Sequence, residues 1–224
     1  MKTKYIAHRG FQSRNIENTI EAFEYAASTK AFGIETDVHI TKDKQFVCFR
    51  DDSTLRLCGK EMVIEQTTLG ELQKLKIMGK YKIPTLEEYI KICKSGKKVC
   101  VVEIKNPLEH ADIELLVNRI KDLGYLDKTI FITFAWQNIL QLRRLLPEQE
   151  IQFLSLVYDE VMLPVLAREK IDLDIEYTCL TKERIEYCKS LGVKVNCWVI
   201  DDEKIAKHFE SCGIDYITSN IFQG

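Results

Sequence analysis

The chain has 224 residues, with 34 acidic against 32 basic side chains and a formal net charge of −2. This near balance removes the strongly basic footprint of a dedicated nucleic-acid binder, and a hydrophobic fraction of 46% with ten glycines and four prolines removes a disordered or low-complexity chain. At about 150 residues per domain the length fits one large domain or two small ones, and such a chain buries on the order of 70% of its unfolded-state surface without cross-links.

Short β-branched runs alternate with longer amphipathic segments. The first run, 4–8, ends in the charged pair His8-Arg9, so the apolar stretch of about 7–15 residues that a signal peptide needs is missing. A helical segment over roughly 18–30 leads into a strand over 33–38. Only Thr41-Lys42-Asp43-Lys44 separates that strand from Phe46-Val47-Cys48-Phe49. A parallel crossover needs a dozen or more residues, so this extra strand is expected to pair antiparallel, as a hairpin folded over the end of the second strand. A helical stretch over 85–94 precedes a strand over 98–104. Beyond it Ile113, Leu116, Val117 and Ile120 fall at i, i+3, i+4 and i+7, which is one helix face. Strands over 129–134, 151–156, 171–175, 193–199 and 214–218 follow, interleaved with helical stretches over 136–146, 160–169, 181–191 and 202–211. Gly33, Gly124, Gly192 and Gly213 each close a helical run before a strand, where a left-handed cap is expected.

Eight strands in βα alternation, plus the hairpin strand, predict a (βα)8 barrel occupying 1–224 as one domain, since about 200 residues is the lower limit for that fold. The rival, an open doubly wound nucleotide-binding sheet, would open on a Gly-rich turn, and no two glycines are spaced as GxG.

In a barrel the chemistry sits at the C-terminal ends of the strands. The first three ends read Ala7-His8-Arg9-Gly10, Gly33-Ile34-Glu35-Thr36-Asp37 and Val102-Glu103-Ile104-Lys105. Strand alternation puts Glu35 with Asp37, and Glu103 with Lys105, on one face each. Turned inward, they bring three carboxylates and an amine to one mouth. Carboxylates so placed repel unless a cation neutralises them, and hard oxygen ligands suit Mg²⁺ or Ca²⁺. His8, Arg9 and Lys105 beside such an ion suit an anionic substrate, with phosphate the obvious candidate. Each tripeptide alone reads as a solvated strand end, a surface ion pair or a turn; their placement on three successive strand ends is what points to a site.

Further motifs follow in one order: Glu17-Asn18-Thr19 with Ala22-Phe23, Asp37-Val38, Thr41-Lys42-Asp43, Ile83-Pro84-Thr85-Leu86-Glu87-Glu88, Val195-x-Cys197-Trp198-Val199 and Gly213-Ile214-Asp215-Tyr216-Ile217-Thr218-Ser219. With the three strand ends, this pattern resembles the glycerophosphodiester phosphodiesterase family over essentially the whole chain. The resemblance implies a (βα)8 fold and hydrolysis of small-molecule glycerophosphodiesters to an alcohol and glycerol 3-phosphate with one divalent cation. It implies Glu35, Asp37 and Glu103 as metal ligands, His8 as one of two catalytic histidines, and Arg9 and Lys105 as phosphate-binding cations. Glu17, in a motif whose usual proline is Ile16 here, is implied near the metal. Trp198 either lines the substrate pocket or caps the barrel core.

The pattern departs at one position. Where the family's hairpin strand ends in His-Asp, this chain has Arg50-Asp51. Arginine stays protonated and cannot take and return a proton. Three readings stay open: a slow enzyme in which Arg50 stabilises the leaving group, an enzyme in which His39, on the parity of Glu35 and Asp37, replaces the missing acid, and a binding protein that retains phosphate esters without turnover. The enzyme is the expectation.

Other chemistries find less support. There is no GxSxG elbow, no His-Glu-x-x-His and no CxxC spacing. The eight cysteines, several inside apolar runs such as Val99-Cys100-Val101-Val102, read as reduced core thiols, which with no run of about 18 apolar residues predicts a cytoplasmic protein. Lys74, Lys76, Lys80 and Lys82 form the one basic patch, expected to be a solvated loop face.

Overall fold

The computed structural model describes residues 2–224. In chain order its strands are Lys4–Ala7 (β1), Gly33–Ile40 (β2), Phe46–Cys48 (β3), Val99–Ile104 (β4), Thr129–Thr133 (β5), Ile151–Ser155 (β6), Asp172–Glu176 (β7), Val195–Trp198 (β8) and Tyr216–Ser219 (β9). The helices are Ile20–Ala27 (α1), Leu55–Cys58 (α2), Leu69–Leu72 (α3), Leu86–Ser95 (α4), His110–Asp122 (α5), Trp136–Leu145 (α6), Leu163–Arg168 (α7), Lys182–Ser190 (α8) and Glu203–Ser211 (α9).

Hydrogen bonding runs β1-β9-β8-β7-β6-β5-β4-β2 and closes through β1–β2, so eight parallel strands form a TIM-type (βα)8 barrel. The hairpin strand β3 lies outside the ring, antiparallel on β2 with Val38 opposite Cys48 and Ile40 opposite Phe46. Alternation along each strand sorts the side chains. Ile6, Val101, Ile130, Ile132, Leu154 and Tyr216 fill the barrel interior. Their neighbours Val102 and Phe131 face outward into the layer that Ile113, Leu116 and Ile120 of α5 help to seal.

The segment 46–83 carries a small core of its own, Val47, Phe49, Ile64, Leu72, Ile77 and Ile83, with α2 and α3 wound around it. These two helices have four residues each, too short to show a period in the sequence. Lys74, Lys76, Lys80 and Lys82 are exposed, with Lys82 paired to Glu88 and Lys80 over the Tyr81 ring.

Gly124, Gly192 and Gly213 adopt the expected left-handed conformation, whereas Gly33 does not. Helix α1 stops at Ala27, and Gly33 instead opens β2, where a Cβ would lie 3.0 Å from the Val99 carbonyl oxygen. Close strand approach, not a cap, is the reason for glycine there. All eight cysteines are free, and six of them are buried. No helix among the described residues is long and apolar enough to cross a membrane.

Candidate active site

The turn after β1 sets the first half of the site. His8–Gly10 form a tight turn in which Arg9 takes φ 50° and Gly10 φ 79°. A Cβ at Gly10 would sit 2.6 Å from the Ala22 carbonyl carbon, so the turn can press against α1 only with glycine there. Phe11 and Asn18, at φ 64° and 53°, add two more left-handed residues to the same loop. Strain gathered in one loop is held in place by its surroundings and is a mark of functional segments. Here it aims the Arg9 amide N–H at Glu35 Oε2, 2.8 Å away, and the Arg9 Nε at Asp37 Oδ2, 2.9 Å away.

The second half comes from strand register. β2 and β4 pair with Asp37 opposite Glu103, so Glu35, Asp37 and Glu103 converge, each offering an oxygen within 4.8 Å of the others. All three are buried. Lys105 reaches back to Glu103 Oε1 at 2.6 Å and Asp37 Oδ1 at 3.1 Å. Asn18, whose Oδ1 is fixed by the Thr36 hydroxyl, donates to Asp37 Oδ2 at 2.8 Å.

This charge set is unbalanced. Burial opposes ionisation of Asp37, but Arg9 and Lys105 outweigh it and hold its carboxyl well below the usual range. Burial and the Asp37 charge push Glu35 far up and Glu103 to about 7. Two cations thus keep one carboxylate ionised while the other two hold a proton more tightly than an ordinary carboxyl. Glu35 Oε1 is buried without a hydrogen-bond partner among the described residues. An oxygen donor set short of positive charge, with an orphaned carboxylate oxygen, fits a divalent cation.

Glu35 and Glu103 open into a cavity of about 280 Å³ at the C-terminal end of the barrel, with Asp37 buried beside them. His8, Arg9, Arg50 and Lys105 line one side, and Ile132, Phe134, Leu154, Leu156 and Trp198 the other, with Asp174 and Thr218 completing it. A larger, shallower cleft of about 750 Å³ lies at the opposite end, among Lys4, Phe32, Val99, Glu150 and Tyr216. In this fold that end carries stability rather than chemistry.

His8 is held in one orientation. Burial, then the Arg9 charge, pull it down to about 4, so it is neutral near pH 7. Its Nδ1 lies 2.8 Å from Asn220 Oδ1. Asn220 donates its Nδ2 to Asp201 Oδ2 at 2.6 Å, so its Oδ1 is the atom turned to the ring. That network assigns the proton to Nδ1 and leaves Nε2 unprotonated.

The remaining expected residues divide. Arg50 lines the cavity, its side chain about half exposed, and donates through Nη1 to Asp51 Oδ1 at 2.9 Å. Trp198 serves both readings, walling the cavity while packing on the barrel interior and, edge-on, on Phe134. Glu17 stands outside the three-carboxylate group, paired with Arg9 at 3.4 Å and with Arg56. His39 shares the strand parity of Glu35 and Asp37 but does not line the cavity. It is buried behind the hairpin, Nε2 3.4 Å from the Arg50 carbonyl oxygen and Nδ1 3.9 Å from Glu65. The pairing of β3 over that end of β2 covers it. Asn18, Asn220 and Asp174 were missed. Asp174 had a readable signal, a charge at an inward position of the apolar run Ile171-Asp172-Leu173-Asp174-Ile175, whereas Asn220 acquires its role only through Asp201.

The model of the glycerophosphoryl diester phosphodiesterase family matches residues 8–221. The chain belongs to that family. By class it is a phosphoric diester hydrolase. It is 31% identical over 234 aligned positions to a glycerophosphodiester phosphodiesterase of Caldanaerobacter subterraneus subsp. tengcongensis, covering 98% of this chain and 95% of the relative. A crystal structure of a glycerophosphodiester phosphodiesterase from Parabacteroides distasonis is similar, with 30% identity, a TM-score of 0.85, and coverage of 98% and 93%. An Oleispira antarctica phosphodiesterase, solved with its product sn-glycerol 3-phosphate, superposes with a TM-score of 0.92 at 24% identity, covering 99% and 94%, a likeness of fold.

Proposed function

We propose that the chain, acting as one barrel domain, hydrolyses glycerophosphodiesters to an alcohol and sn-glycerol 3-phosphate. The observation that carries this reading is the meeting, in one cavity, of a neutral histidine, the cations Arg9, Lys105 and Arg50, and Glu35 and Glu103, two of the three converging carboxylates, with the third, Asp37, buried beside them. Glu35, Asp37 and Glu103 would hold one divalent cation, Mg²⁺ or Ca²⁺, which when bound draws charge from the phosphoryl oxygens. Arg9 and Lys105, which keep their charges because the carboxylates around them outweigh the cost of burial, attract and orient the phosphate. His8 Nε2 accepts a proton from the attacking water as its oxygen bonds to phosphorus and the bond from phosphorus to the leaving alcohol's oxygen breaks.

The leaving alkoxide also needs a proton, and no second imidazole among the described residues lines the cavity. Arg50 can stabilise the departing charge but not neutralise it, so water supplies the proton. Since general acid–base catalysis is worth about 10²–10⁴-fold, turnover is correspondingly slow. The test is metal-dependent hydrolysis of glycerophosphocholine and of a bis-aryl phosphodiester by the native chain and by Arg50→His. Slow hydrolysis that the histidine accelerates is expected. Tight binding with no native turnover would assign the chain to the binding-only reading, and Glu35→Ala and Asp37→Ala variants with untouched metal binding and activity would remove the site altogether.

A further inference from the structure

Two polar atoms on the cavity wall away from the phosphate-binding cations have no partner among the described residues. Asp174 on β7 is 1% exposed, and its Oδ1 is buried and unpartnered. The indole Nε1 of Trp198 is in the same condition. Both residues line the cavity. β7 and β8 pair with Asp174 opposite Asn196, so Trp198 stands two residues further along the same inner face. The polar groups beneath them are satisfied: Asn196 donates to Gln152 at 3.3 Å and accepts from the Thr218 hydroxyl at 3.2 Å. Asn196 also hydrogen-bonds the Asp174 carboxyl, but a buried carboxyl oxygen and a buried indole N–H left without partners each cost stability, so this wall lacks something that the described residues do not supply.

We propose that Asp174 and Trp198 form a hydroxyl-reading subsite, in which Asp174 Oδ1 accepts from one hydroxyl of the substrate's polyol and the Trp198 N–H donates to its neighbour. Asp174 lies outside the three-carboxylate group, so it is not counted among the metal donors. Its Oδ1 is an acceptor already shielded from water, so a hydroxyl that enters the cavity can satisfy it. An indole N–H only donates, so the pair asks for a donor and an acceptor side by side, as on adjacent carbons of glycerol. An alkyl or aryl group offers neither. The subsite rests on the proposed phosphodiesterase reading for its substrate, but binding alone can test it.

Titration calorimetry of the full chain with Mg²⁺ would compare sn-glycerol 3-phosphate, n-propyl phosphate and inorganic phosphate. The native chain is expected to bind the glycerol ester about tenfold or more tightly than the propyl ester, the size of one or two good hydrogen bonds. Trp198→Phe should cut that ratio about threefold or more, Asp174→Leu should bring it near one, and Asp174→Asn, which keeps an acceptor, should restore part of it. Should Asp174→Leu fail to fold, the Trp198→Phe arm decides. A native ratio near one, a ratio unchanged in the variants, or an equal loss of inorganic phosphate binding would overturn the proposal. Discrimination between the esters without any diester hydrolysis would keep the subsite and remove the proposed activity; hydrolysis without discrimination would do the reverse.

Discussion

Glu35→Gln should make the metal-free protein more stable while ending its response to metal. Glu35 is 2% exposed; Oε2 accepts the Arg9 amide at 2.8 Å and Oε1 has no partner among the described residues. With carboxylate oxygens no more than 4.8 Å apart, two ionised neighbours repel by about 3 kcal/mol at an effective dielectric of about 20. Protonation of Glu35 relieves part of this, leaving a gain of about 1–2 kcal/mol for a neutral amide. The amide oxygen can keep the Arg9 bond and the new NH₂ can donate to a neighbouring carboxylate. At about 2–4 °C per kcal/mol for a domain of this size, Tm should rise by about 2–8 °C in chelator. Native protein with metal at about 100 times Kd should gain about 2.7 kcal/mol, or about 5–11 °C, and the variant should gain little. Thermal melts by circular dichroism, in chelator and in millimolar Mg²⁺ or Ca²⁺, measure both. A variant that melts below native protein in chelator, or that keeps the full metal shift, would refute the charge-deficit argument.

His8→Ala should lower kcat about 10²–10⁴-fold while phosphate affinity changes little, as read by steady-state kinetics beside calorimetry. Asn220→Leu should lower kcat with smaller effect on KM, because His8 Nδ1 loses the acceptor 2.8 Å away that fixes its tautomer; equal kinetics would dismiss that role. Lys105→Met should destabilise the metal-free chain by about 3–5 kcal/mol in urea melts, since Asp37 and Glu103 lose a buried partner, and added metal should recover part of the loss. At the other end of the barrel, burial pushes Asp172 up to about 6, and Lys194 only partly offsets it. Its folded value lies above the unfolded one, so this group stabilises fully below about pH 4 and the contribution is lost as pH rises through about 6. Asp172→Asn keeps an acceptor for the Lys194 amide and should flatten the stability profile between pH 4 and 7; an unchanged slope would count against the burial argument.

Much of the barrel was readable because it rests on local rules. Crossover length placed β3 antiparallel on β2, and Thr85 with Glu88 closes the capping box that opens α4. Glu35, Asp37, Glu103 and Lys105 were readable because strand parity needs no tertiary information once the barrel is granted. Parity failed at His39, which has the right alternation but sits where the hairpin folds over, and pairing partners are a non-local property. Gly33 failed for the same reason: its neighbour is Val99, 66 positions away, not the helix before it.

The amino-acid order alone therefore set the alternation of elements, the closed eight-strand ring and the identity of the converging carboxylates, since period, turn chemistry and chain length act over a few residues at a time. Only the tertiary structure decided how charge is shared among them: Arg9 and Lys105 outweigh burial at Asp37 but not at Glu35 and Glu103. It also decided that His8 is neutral and protonated on Nδ1, through burial and an Asn220–Asp201 contact more than 190 positions away in the chain, and that Asp174 and Trp198 share one wall. Burial and Coulomb interactions depend on distance in space, and the chain order carries that distance only after folding.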